Sequence, residues 1–143
     1  MSDVLKELYA HQLKGIMFHS DLMQVYKLFG DFDDMAKLHY HQVIEETRNH
    51  SKLVLEMIDK TKKIMVPSEL KNESIEIEDR PPSRLKRCEL HKGMLQSWEA
   101  WEEKTINMYD NAISEYPDCK LLKIFRKDTE KELKIIRYKL GHI

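Results

Sequence analysis

Apolar residues recur at helical spacing in four long stretches of this chain, separated by three breaks of different character. From about residue 3 to 29, Leu5, Leu8, Tyr9, Ile16, Met23 and Tyr26 return every few positions in helical phase, which predicts a first amphipathic helix. Gly30-Asp31-Phe32-Asp33-Asp34 then reads as a tight turn, and its acidic residues suit the N-terminus of a following helix. That second helix, about 32 to 64, carries Met35, Val43, Leu53, Met57 and Ile64 on one stripe. Residues 65 to 82 break the periodicity. Prolines at 67, 81 and 82 disfavour helix at both ends of the segment. Between them, Ser74-Ile75-Glu76-Ile77-Glu78 alternates like a short extended piece. A third helix, about 83 to 115, has Cys88, Leu95, Ile106, Tyr109 and Ile113 along one side. Pro117-Asp118 makes the last break. The fourth helix, about 118 to 140, has the stripe Leu121, Phe125, Ile135 and Ile136, with Gly141 as a stop signal.

Lengths constrain how these helices connect. The short turn between the first two favours an antiparallel hairpin. At 1.5 Å per residue the second helix would span roughly 50 Å, and the 65–82 connection reaches roughly 55–60 Å when extended. It is just long enough to travel the whole bundle and start the third helix parallel to the second. The expectation is an all-α, antiparallel four-helix bundle, a single domain over residues 1–143 with one long crossover between helices two and three.

Composition narrows the class without changing that picture. A chain of 143 residues can bury a real core, and 34% charged residues, 41% hydrophobic residues, four Gly and four Pro suit a helical protein with few turns. The net charge of −1 supplies no electrostatic reason to expect nucleic acid or an acidic membrane as partner. No apolar run approaches membrane-spanning length, and the charged start Met1-Ser2-Asp3-Val4-Leu5-Lys6-Glu7 lacks the apolar core of a signal peptide. Cys88 and Cys119 are too few for a disulfide framework, which favours a reduced, cytoplasmic setting.

The candidate chemistry lies in a layer of acid and histidine on the otherwise apolar faces. The layer draws on His11 and His19, then Glu46 and His50, then His91 and Glu102, then Asp128 and Glu132. At about 100° per residue, His19 falls between two apolar rows of the first helix and His11 lies on the flank of the same face. Glu46 and His50 are four apart and project from the side that carries Val43 and Leu53, as does His39. Glu102 lies inside the third stripe, with Glu99 at its edge. Counted back from the turns, His11 is level with His50 and Glu102 with Glu132. No Lys or Arg points into that layer, and burying charge without a partner is very costly. A transition-metal ion bound by the carboxylates and imidazoles would supply the missing positive charge. The competing solution is a metal-free network in which histidines hydrogen-bond to carboxylates. Contribution from all four helices at one level favours the metal.

Several segments resemble one family in the right order along the chain. Ala36-Lys37-Leu38-His39-Tyr40-His41-Gln42-Val43-Ile44-Glu45-Glu46 is similar to the second helix of ferritins, and Ile75-Glu76-Ile77-Glu78-Asp79-Arg80-Pro81 to the ferritin crossover. Glu103-Lys104-Thr105-Ile106-Asn107 resembles a third-helix stretch that holds a metal-site Glu, and the acidic run from Phe125 to Glu132 has the character of the fourth helix. The resemblance implies a ferritin-like bundle, a homo-oligomer, and iron (or another divalent transition metal) at an internal site that oxidises Fe(II) with oxygen.

This chain departs from the family's ligand pattern. A spacing of three from Glu46 lands on Asn49, whereas His50 stands one position later. The third-helix match points to Glu103, whereas the angular count turns Glu102 inward. On the first helix Asp21 points outward, and His11, Gln12 and His19 face in. The expected ligands are therefore Glu46, His50, Glu102 and Glu132, with Asp128, His11 and His19 as further ligands or as groups supporting them. The alternative is a non-enzymatic protein of the same fold that lacks the metal and acts through oligomerisation or partner binding. Trp98 and Trp101 read as packing residues, and the eight methionines as core filler.

Overall fold

A computed structural model describes residues 3–30, 32–45, 50 and 83–143. Every element among them is a helix: α1 Asp3–Phe29, α2 Asp33–Glu45, α3 Arg84–Glu115 and α4 Lys120–Gly141. None is long and apolar enough to cross a membrane. The expected continuation of the second helix through Leu53, Met57 and Ile64, and the crossover at 65–82, lie outside the described residues. The chain divides into two compact units, Met1–Ser83 and Arg84–Ile143. α1 packs on α2 in the first, and α3 on α4 in the second.

The first hairpin turns on Gly30, whose φ of 72° lies in the left-handed region that glycine enters without steric cost. The Phe32 carbonyl accepts the N–H groups of Met35 and Ala36 at 3.0 and 3.1 Å, starting α2 at once. Asp33 and Asp34 in the first turn of α2 lie at the positive end of its dipole. Tyr26, Phe29 and Phe32 clasp the turn edge-to-face, with ring centroids 5.8 to 6.2 Å apart. Below them Leu5, Leu8, Leu13, Ile16 and Leu22 of α1 are buried, as are Met35 and Ala36 of α2.

The second hairpin closes through Tyr116, whose N–H donates to the Ala112 carbonyl at 2.9 Å and whose own carbonyl accepts from Cys119 at 3.1 Å. Pro117 has no N–H to continue α3. Leu95, Trp98, Tyr109 and Ala112 of α3 form the core with Leu122, Phe125, Leu133 and Ile136 of α4. Ion pairs along one edge report the register: Arg126 binds Asp110 at 2.5 Å and, within its own helix, Glu130. Arg137 binds Glu99 at 3.4 Å and Glu103 at 2.9 Å. Partners move back along α3 as they move forward along α4, so the hairpin is antiparallel.

Three residues expected in the stripes are outside. Leu121 and Ile135 are exposed while their neighbours Leu122 and Ile136 are buried. The sequence offers adjacent apolar pairs, and residues about 100° apart cannot both face one partner helix. Cys88 is exposed as well, together with Leu85 and Leu90. With Arg137 beside Glu99, the end of α4 reaches only the neighbourhood of Leu95, so the first turns of α3 extend past it.

Two glycines test this account of the backbone. Gly30→Ala forces a side chain into positive φ and is expected to destabilise the protein by about 1 kcal/mol. Gly93 sits inside α3 with open space where a Cβ would go, so Gly93→Ala is expected to stabilise by about 0.5–1 kcal/mol. Urea unfolding midpoints of the two variants should move in opposite directions.

Candidate metal centre

The first hairpin encloses four of the chain's seven histidines: His11, His19, His39 and His50. Their environments differ. His19 and His39 face one another from α1 and α2 with their Nδ1 atoms 2.8 Å apart. One ring must donate Nδ1–H and the other accept with its lone pair, so the bond requires at least one neutral imidazole. Tyr26 stacks on His39 at 5.6 Å, and Phe18 meets His19 edge-on at 5.3 Å. Burial in these aromatic surroundings, and secondarily the adjacent His39, hold the His19 pKa well below the usual 6.5. Burial, helped by Asp34, pushes the Tyr26 phenol up, so it stays protonated and neutral. His19 and Tyr26 are therefore both held in their neutral forms at neutral pH.

His50 lies in a polar setting instead. Its Nε2 is 3.4 Å from Glu45 Oε1, with the imidazole enclosed and the carboxylate half-buried. The sequence had paired His50 with Glu46 at a spacing of four, whereas the observed partner is five residues back. Glu46 itself lies outside the described residues. A count at 3.6 residues per turn does not bring residues five apart onto one face, so the contact with Glu45 was not expected. His39 carried a clearer signal, since it fell on the inward side of its helix. Its direct bond to His19 was nevertheless not expected.

The second hairpin buries carboxylates. Glu102 on α3 is 4% exposed and Glu132 on α4 is 9% exposed. The antiparallel register sets them at one level. Asp128, one turn before Glu132, is half-buried, and so is His91. Glu103 is on the outside, where it holds Arg137, so the third-helix acid that turns inward is Glu102. Two hydroxyls on the same buried faces are satisfied locally: Thr105 donates to the Trp101 carbonyl at 2.8 Å and Thr129 to the Phe125 carbonyl at 3.0 Å. Among the described residues no Lys or Arg is buried. Two carboxylates enclosed at one level repel each other and hold their charge only through hydrogen bonds or cations close by.

Each hairpin thus holds donors of its own kind. The first presents imidazole beside carboxylate at His50 and Glu45, with His11 also inside. The second presents carboxylates at Glu102, Glu132 and Asp128. Mixed nitrogen and carboxylate oxygen donors suit divalent first-row transition metals, the imidazole favouring these over calcium or magnesium.

The His19–His39 pair has a measurable consequence. The folded state keeps His19 neutral, whereas the unfolded chain takes up a proton near pH 6.5. Stability is therefore level above that pH and falls as pH drops below it, with a slope approaching about 1.4 kcal/mol per pH unit for one proton. Urea midpoints measured from pH 7.5 down to about 5.5 should follow this course. In His19→Gln, where an amide replaces the imidazole, the slope should flatten.

Comparison of the chain with family models, with curated proteins and with solved structures finds no match.

Proposed function

We propose that this is a metal-binding helical protein in which buried carboxylate and imidazole side chains hold a divalent transition-metal ion, with iron as the metal that the resemblance to ferritins implies. In the second hairpin Glu102, Glu132 and Asp128 supply carboxylate donors, and in the first Glu45 and His50 supply a carboxylate beside an imidazole. Glu46, His11 and His19 remain further candidates from the sequence. The observation that carries this proposal is the burial of Glu102 and Glu132 on the two helices of one hairpin, with Asp128 half-buried one turn from Glu132, which gathers three carboxylates of the kind that bind divalent metals. A bound cation offsets that charge, and two protons would do so only at the cost of raised carboxyl pKa values. If the ion is iron with an open coordination position, the chemistry it would supply is oxidation of Fe(II) by oxygen. The chain's own part is to fix the donors and keep bulk water out. The same resemblance implies a homo-oligomer, which sedimentation velocity would read directly.

A second assignment is favoured by a specific observation. His19 and His39 satisfy each other directly, with Nδ1 atoms 2.8 Å apart, and this is how a metal-free polar core is built. In that alternative the protein has a helical core without metal and acts through its surface.

Titration separates the two. Anaerobic addition of Fe(II) to the chelator-treated protein, with elemental analysis after desalting, should show stoichiometric retention by the wild type. His50→Ala should weaken binding by about 10-fold or more, and Glu102→Gln together with Glu132→Gln should abolish it. Retention of less than a tenth of an equivalent by the wild type, with no effect of the substitutions, would sink metal binding in favour of the metal-free core.

A further inference from the structure

The face of α4 turned away from its hairpin core combines apolar and cationic side chains in a way the metal centre does not use. Leu121 is 39% exposed, Ile124 52%, Ile135 44% and Tyr138 67%. At about 100° per residue these four fall within an arc of about 100°. Alongside them run Lys120, Lys123, Lys127, Lys131 and Lys134, all exposed, within an adjoining and partly overlapping arc of about 80°. The two kinds of cation on this helix are sorted. Arg126 and Arg137 lie on the edge toward α3, where they bind Asp110, Glu99 and Glu103. The five lysines take part in no ion pair among the described residues. The chain's net charge of −1 conceals this concentration of positive charge on one surface.

We propose that this face of α4 docks onto an anionic phospholipid surface, with the lysines meeting the headgroups and Leu121, Ile124, Ile135 and Tyr138 entering the boundary with the acyl chains. The charge is complementary to such a surface, and long lysine stems let their ammonium groups reach headgroups while the neighbouring side chains go deeper. Tyr138 has the amphipathic ring suited to that interface. No described helix is apolar enough to span a bilayer, so the association is peripheral. A nucleic-acid backbone would match the lysines but leave the apolar row in water. Arginine, the side chain best suited to bidentate phosphate recognition, is withheld from this face by its ion pairs. Asp128, a proposed metal donor, falls within the apolar arc but is half-buried and is left unchanged in the variants below, so failure of this proposal and failure of the metal assignment are separate events.

Co-sedimentation with vesicles tests it. The wild-type protein should pellet with vesicles of phosphatidylcholine and phosphatidylserine, remain in the supernatant with phosphatidylcholine alone, and be released by added salt. Removing each lysine is expected to lower partitioning about fivefold. Lys123→Glu/Lys127→Glu/Lys134→Glu should therefore lose binding. Ile124→Ser/Ile135→Ser should weaken it even at low salt, with the helical circular dichroism of both variants unchanged. Equal pelleting with neutral vesicles, or retained binding after charge reversal, overturns the proposal. So does preference for duplex DNA or polyglutamate over vesicles, or concentration-dependent self-association through this face instead.

Discussion

The constraint on which this structure turns is the enclosure of titratable groups in a core that holds no Lys or Arg among its described residues. Moving an ionised side chain out of water costs far more than a folded domain's whole margin of stability unless something neutralises it. The two hairpins meet this cost differently. In the first, His19 stays neutral and bonds to His39. In the second, Glu102 and Glu132 are acids whose usual state at neutral pH is charged. Imidazole can shed its charge cheaply near pH 7, but a carboxylate cannot. The second hairpin therefore makes the stronger case for a bound cation.

Backbone chemistry at the turns sets which groups share a level. Gly30, with positive φ, and the bonds to the Phe32 carbonyl let α2 begin with only three residues between it and α1. Pro117 and the bonds around Tyr116 do the same for α3 and α4. Once the turns are this tight, the antiparallel register follows, and with it the pairing of Arg126 with Asp110 and of Arg137 with Glu99. These exposed pairs contribute little to stability individually. They do orient α4, leaving its five lysines and exposed apolar row on another side.

Much of this was legible from periodicity alone. The bounds of α1 and the breaks at Gly30 and Pro117 were all visible, because glycine, proline and repeated apolar positions act locally. The inward turn of Glu102 rather than Glu103 also followed from angle. What was not legible has equally local causes. Leu121 and Ile135 looked like core because apolar pairs leave the phase of a helix ambiguous by one residue, and packing against α3 resolved it toward Leu122 and Ile136. Cys88 looked like core because helix overhang depends on register. The contact of Glu45 with His50 was not legible because a spacing of five falls off one face at 3.6 residues per turn.

The central claim is that Glu102 and Glu132 are buried to hold a cation, and the unfolding midpoint of chelator-treated and metal-reloaded protein tests it most directly. A metal that binds only the folded state at 100 times its dissociation constant adds about 2.7 kcal/mol, so reloading should raise the midpoint clearly. In Glu102→Gln/Glu132→Gln the metal-free midpoint should rise, because the buried like charges are gone, and the response to metal should vanish. A midpoint unchanged by chelation and reloading in the wild type, across iron, cobalt, manganese and zinc, would contradict the account.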